Sequence, residues 1–162
     1  MYRRAVANPF VPDTFEPPRR FDHERFFLEP LDPEHNERDH AAWTSSIEHI
    51  RSSPGFPLRN GPDDEGWPSP MDLEDNLRDL EEHAGDFARR VGFTYTVRAS
   101  DDDGDVIGCV YIYPDRRGDH EVVVASWVRA SHAELDHELW RAVTAWLEQD
   151  WPFTDVGYAP RP

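Results

Sequence analysis

The sequence predicts an α/β domain, a mostly antiparallel sheet flanked by three helices. Three observations predict it. Strand-like runs at Phe93 to Ala99, Val106 to Tyr113 and Glu121 to Val128 follow one another across short turns, Asp101 to Asp105 and Arg116 to Asp119, each with a glycine. Consecutive strands joined that closely pair antiparallel. Three other segments carry apolar residues at helical spacing, and 162 residues suit one domain with one core.

The elements then follow in the order β-α-α-β-β-β-α-β. Residues 1 to about 22 form an arm in which Pro9, Pro12, Pro17 and Pro18 forbid regular structure. Phe10, Phe15 and Phe21 punctuate it, and rings at that density predict an arm pinned against the domain of residues 23 to 162. Arg25 to Leu31 reads as a strand, ended by Asp32-Pro33, an N-cap followed by a first helical residue. One helix follows, with Trp43, Ile47 and Ile50 on a single stripe, and Pro54-Gly55 stops it. Residues 54 to 70 are a Pro- and Gly-rich loop in which Trp67 has no evident core role. A second helix starts at Ser69-Pro70, carries Leu73, Leu77, Leu80, Ala84, Phe87 and Val91, and ends on Gly92 as its C-cap. Past the three strands a third helix begins after Ser131, with Leu135, Leu139, Val143, Trp146 and Leu147 on one stripe, and Pro152 ends it. Phe153 to Tyr158 is a last strand.

Composition narrows the function classes. The formal charge is -16, which repels phosphate backbones and argues against a nucleic-acid partner. No apolar run approaches the roughly 18 residues of a membrane helix. A single cysteine, Cys109, forms no internal disulfide and suits a reduced cytoplasm. Every one of the 17 basic residues is arginine.

With this order of elements the chain resembles the GNAT superfamily of acetyl-CoA-dependent N-acetyltransferases, in its ribosomal-protein and antibiotic acetyltransferase branch. His23-Glu24-Arg25-Phe26-Phe27-Leu28-Glu29-Pro30-Leu31 is similar to that branch's opening strand, Asp105-Val106-Ile107-Gly108 to its third strand, and Ser126-Trp127-Val128-Arg129 to the end of its fourth. The resemblance spans about residues 23 to 158. It implies an acetyl-CoA cleft between the fourth and fifth strands, with pantetheine on the backbone near Trp127, Val128 and Arg129. It implies pyrophosphate at the N-terminus of the next helix, cradled by a glycine loop whose bare amides and helix dipole hold the anion. The acceptor would be a primary amine on a small molecule or a protein N-terminus. Glu121, opening the fourth strand, would then be the general base; the other reading of Glu121 is a surface acid at a turn.

The sequence departs from the family at the phosphate seat. Arg129 to Glu138 contains no glycine in any register. Ser131 and Glu134 have capping-box spacing, which predicts that the helix amides already have partners. Glu134, Asp136 and Glu138 add negative charge there, against Arg129 and Arg141. Two function classes therefore stand. One is a non-catalytic module that keeps the fold for binding or assembly, with a degenerate cofactor site; the alternative is acetyl transfer from acetyl-CoA to an amine.

The remaining constellations read as structure. Glu37/His40 and Glu134/His137 have ligand spacing, but a di-iron bundle needs two further helices that each donate a Glu, so no metal site is expected. Cys109 inside an apolar strand reads as a core thiol. Trp67, Tyr111, Tyr113 and Trp127 either line a pocket or pack the core. The family's further helix and strands have no counterpart up to Pro162, so Phe153 to Tyr158 is expected to offer an open edge, covered by the arm or by a second copy in a homodimer.

Overall fold

The computed structural model describes residues 9–101 and 104–162. The first eight residues of the predicted arm, and residues 102 and 103 of the turn from Asp101 to Asp105, lie outside them. Six strands form one sheet in sequence order: β1 (Phe21–Asp22), β2 (Phe26–Pro30), β3 (Phe93–Ala99), β4 (Val106–Pro114), β5 (Val122–Val128) and β6 (Val156–Tyr158). The first five pair antiparallel, as expected of short turns, and β6 pairs parallel with β5. A parallel neighbour requires a crossover, and α4 (Asp136–Asp150) supplies it.

The period-2 alternation of the strands divides the core between the two faces of the sheet. Neighbouring Val110 and Cys109 fall in different clusters. One cluster joins Phe93, Tyr95 and Ile112 to Leu139, Val143, Trp146 and Leu147 of α4. The arm lies on this side: Phe10 stacks on Phe93 and Phe153, Phe15 meets Trp151, and Phe21 meets Trp146. Main-chain oxygens of the arm are held as well, Pro12 and Phe15 by Arg90 and Pro18 by the Tyr95 hydroxyl. The other cluster joins Cys109 and Trp127 to Ala42, Trp43, Ile50 and Leu80. Those four come from α1 (Asn36–Thr44), α2 (Ile47–Arg51) and α3 (Leu73–Arg89).

The structure corrects the helix boundaries. Four α-helices replace the three expected, because the first helix breaks at Ser45 and Ser46. There the hydroxyls of Thr44 and Ser45 take the carbonyls of His40 and Ala42, in competition with the helix ladder. The second helix starts at Leu73, not Ser69-Pro70, because Asp72 caps it by accepting from the Asp75 N–H. It ends on Arg90, not Gly92: Arg90 takes the left-handed conformation, φ 64°. Its guanidinium is anchored on the arm, and the ring of Tyr113 fills the space a side chain at Gly92 would need. The last strand is shorter than expected, and β1 lies inside what reads as the arm.

Candidate functional site

The pairing of β5 defines the site. On one side β5 pairs with β4 along its whole length, from Val122 opposite Pro114 to Val128 opposite Gly108. On the other side it pairs with β6 only at Val122, Val123 and Val124. From Ala125 onward the β5–β6 ladder stops, and this end of the strand pair, the seam, lies beside the start of α4. Trp127, Val128 and Arg129 follow in the chain beyond the last residue of β5 that pairs with β6.

Arg161 fills the seam. Its Nη2 donates to the main-chain oxygen of Ser126 at 2.7 Å. Its Nε donates to Asp136 Oδ2 at 2.9 Å, at the first residue of α4, and its Nη1 to the oxygen of Ala159 at 2.9 Å. The Arg161 side chain is 2% exposed. Behind it the Ser126 and Tyr158 hydroxyls meet at 2.6 Å, and burial pushes the Tyr158 pKa up to about 12. The seam is thus floored by neutral hydroxyls and crossed by a paired guanidinium.

The start of α4 differs from the sequence expectation. Residues Ala130–Leu135 form a 3-10 turn kinked at His132, and no side chain caps α4. The capping box does not form: Ser131 Oγ bonds to His132 Nδ1 at 2.9 Å, because the kink places Ser131 inside the turn and not at the helix boundary. The amide of Ala130 nevertheless has a partner, donating to Ser46 Oγ at 2.8 Å from the break between α1 and α2. The three acids have cations of their own. Glu134 and Glu138 pair with Arg25, Glu138 also with His23, and Asp136 with Arg161.

The predicted site residues do not converge. Trp127 points to the α1–α3 side, where its indole N–H donates to the Tyr111 hydroxyl at 2.9 Å. The Val128 side chain lies in the opposite core cluster. Arg129 sends its N–H to the Ile107 oxygen at 2.8 Å and its guanidinium to Asp105 and the Val106 oxygen at 3.2 Å; its Nε is buried without a partner. Glu121 precedes the other end of β5, about 25 Å of extended chain from Arg129. There its carboxylate accepts from the Thr154 N–H at 2.9 Å and joins the strand to the entry of β6.

Trp67, which reads as a loop residue without a role, is the centre of a ring cluster. It meets Trp43 at 5.3 Å, Trp127 at 6.0 Å, Phe56 at 6.2 Å and Tyr111 at 6.3 Å. A backbone bridge to Leu58 and the forked guanidinium of Arg51, on the oxygens of Glu65, Gly66 and Pro68, hold its loop in place. Below the rings lies a buried polar chain: Trp43 Nε1 donates to Asn76 Oδ1 at 3.0 Å, and Asn76 Nδ2 donates to Asp39 Oδ2 at 3.0 Å. Burial pushes the Asp39 pKa up to about 6, and burial likewise raises the Cys109 thiol well above its ordinary value. Among the described residues no group of three or more His, Cys, Asp or Glu could hold a metal ion, and no helix is long and apolar enough to cross a membrane.

The sheet is six-stranded and mixed, with three helices against one face and a crossover helix against the other. Solved structures share this fold. The chain is similar to a probable acetyltransferase of the GNAT family from Chromobacterium violaceum, with TM-score 0.60, 14% identity, 89% of this chain and 66% of that one. It is similar to another probable acetyltransferase, with TM-score 0.62, 11% identity and coverages of 84% and 70%. It is also similar to the microcin C7 self-immunity acetyltransferase MccE, solved in complex with acetyl-CoA and AMP, with TM-score 0.58, 10% identity and coverages of 78% and 63%. The chain thus has the fold of the GNAT superfamily and spans about two thirds of the length of these relatives. No family model and no curated protein matches the sequence.

Proposed function

We propose that this chain is a GNAT-fold module that does not catalyse acetyl transfer and serves in binding or assembly. The observation that carries this reading is Arg161 in the seam. The resemblance places pantetheine on the backbone at the end of β5, and the Ser126 oxygen on that backbone is bonded to Arg161. Other groups near it are also engaged: the Ala130 amide by Ser46 and the Arg129 cation by Asp105. No glycine lets a pyrophosphate approach the turn after β5. The residues present do not fit acetyl-CoA. The alternative reading, acetyl transfer to a primary amine, has the fold behind it, and MccE is an acetyltransferase of similar fold that takes acetyl-CoA. Release of CoA thiol from acetyl-CoA with a panel of primary amines separates the two. We expect no release above the uncatalysed rate; catalysed release would overturn the non-catalytic reading.

For assembly we propose a two-fold homodimer across the outer edge of β6. In the sheet order β6 is terminal, so its outer N–H and C=O groups face away from β5. A groove of about 260 Å³ runs beside it, lined by Trp140, Leu147, Phe153, Val156 and Tyr158. Light scattering at micromolar concentration is expected to give twice the 18.8 kDa chain mass. A monomer would remove the dimer and leave the cofactor argument untouched.

A further inference from the structure

We infer that the mouth of the β5–β6 seam is a guanidinium-binding site, built to take an arginine side chain and filled by Arg161 of the same chain. Each nitrogen of the guanidinium meets an acceptor. Nε and Nη2 face the two oxygens of Asp136 at 2.9 and 3.4 Å, Nη2 also reaches the Ser126 oxygen at 2.7 Å, and Nη1 reaches the Ala159 oxygen at 2.9 Å. The Tyr158 ring lies 5.8 Å from the central carbon. A side chain only 2% exposed keeps its charge in such a place because a carboxylate and carbonyl oxygens replace its water.

The geometry selects a planar fork over a point charge. Four acceptor oxygens are shared among Nε, Nη1 and Nη2, which suits the five donors of a guanidinium and leaves an ammonium, with three donors, at least one acceptor short. An ammonium also gives up a more strongly held water shell on burial.

Three of the four acceptor oxygens, those of Ser126 and Asp136, are placed by other parts of the fold, while the Ala159 oxygen belongs to the same segment as Arg161. Ser126 is set by its register opposite Val110 and by the Tyr158 hydroxyl, and Asp136 by the first turn of α4. Removing the arginine side chain therefore leaves a shaped, acidic hollow. Its ligand class is an alkylguanidinium, which in the intact chain is the Arg161 side chain itself. The inference rests on the same closed seam as the proposed function, but it calls for a ligand of opposite charge to the cofactor phosphates. Its test contains no acetyl-CoA, so the two readings fail separately.

The test is chemical rescue in the full chain. Arg161→Ala leaves the part-buried Asp136 without its cation and opens the space of a buried side chain, and the variant's melting temperature is expected to fall by about 10 °C. Ethylguanidinium at roughly 20 mM, which replaces the deleted atoms, is expected to restore at least half of that loss. Ethylammonium at the same concentration is expected to restore none, and neither compound to stabilise the unsubstituted chain. Arg161→Lys, which keeps the charge, is expected to melt nearer to Arg161→Ala than to the unsubstituted chain; if the alanine variant does not fold, this comparison decides alone. Equal rescue by the two compounds, no rescue by ethylguanidinium, or an Arg161→Lys chain as stable as the original overturns the inference.

Discussion

Arg161 Nη2 donates to the main-chain oxygen of Ser126 at 2.7 Å, beyond the last β5–β6 pair at Val124 and Tyr158. A bond between residues 35 positions apart thus joins β5 to the segment after β6, past the point where the ladder stops. The same guanidinium reaches the start of α4 through Asp136. One side chain ties β5, α4 and the segment after β6 together.

Asp39 makes stability depend on pH. Its folded pKa is raised from 3.8 to about 6 by burial, so the folded chain holds a proton that the unfolded chain releases near pH 4. The stabilisation from that proton is complete below about pH 4 and is lost as pH rises through about 6. The full effect is on the order of 3 kcal/mol. Asp39→Asn keeps an acceptor for Asn76 and removes the titration. Urea unfolding is expected to show the variant more stable than the original at pH 7.5 and equal to it near pH 4. A constant difference across that range would refute the assignment.

Trp67 holds the face of the sheet opposite α4 closed. Trp67→Ala is expected to cost about 3 kcal/mol by opening a cavity among Trp43, Phe56, Tyr111 and Trp127. Urea unfolding together with near-ultraviolet circular dichroism reads both the stability and the loss of ring packing. An unchanged midpoint and spectrum would show that the ring adds nothing to the cluster.

Much of the sheet was legible in the sequence. The runs that became β3, β4 and β5 are apolar, consecutive and separated by turn residues, so local signals and final pairing agree. The break between α1 and α2 was not legible, since it depends on which carbonyls the hydroxyls of Thr44 and Ser45 choose. The position of Asp39 was hidden because a carboxylate in an amphipathic helix reads as solvated until Asn76 is seen to meet it. The seam was legible only as a departure: missing glycines show in the sequence, but the residue that fills the space does not. Arg161 sits between two prolines after a short strand, and its partners lie 25 and 35 residues away. The capping box at Ser131 and Glu134 had the right spacing and the wrong backbone.

The Ser46 hydroxyl, 4% exposed at the residue level, receives the Ala130 N–H at 2.8 Å and so links the α1–α2 break to the turn after β5. Ser46→Ala is expected to cost about 1 kcal/mol, the net worth of one such bond. A urea midpoint shift with unchanged slope would agree; no shift would mean that water replaces the hydroxyl.

The arm contributes to the core through its rings. Phe10→Ala removes the stack on Phe93 and Phe153 and is expected to cost about 2 kcal/mol, with Trp151 fluorescence moving to longer wavelength as water enters. Stability and emission equal to those of the original chain would contradict a packed arm.

On the proposed reading, the chain's own residues close the end of β5 to acetyl-CoA. Calorimetric titration of acetyl-CoA into the full chain at neutral pH tests it most directly. No heat of binding, or a dissociation constant weaker than about 1 mM, is expected, and micromolar binding would contradict the non-catalytic reading.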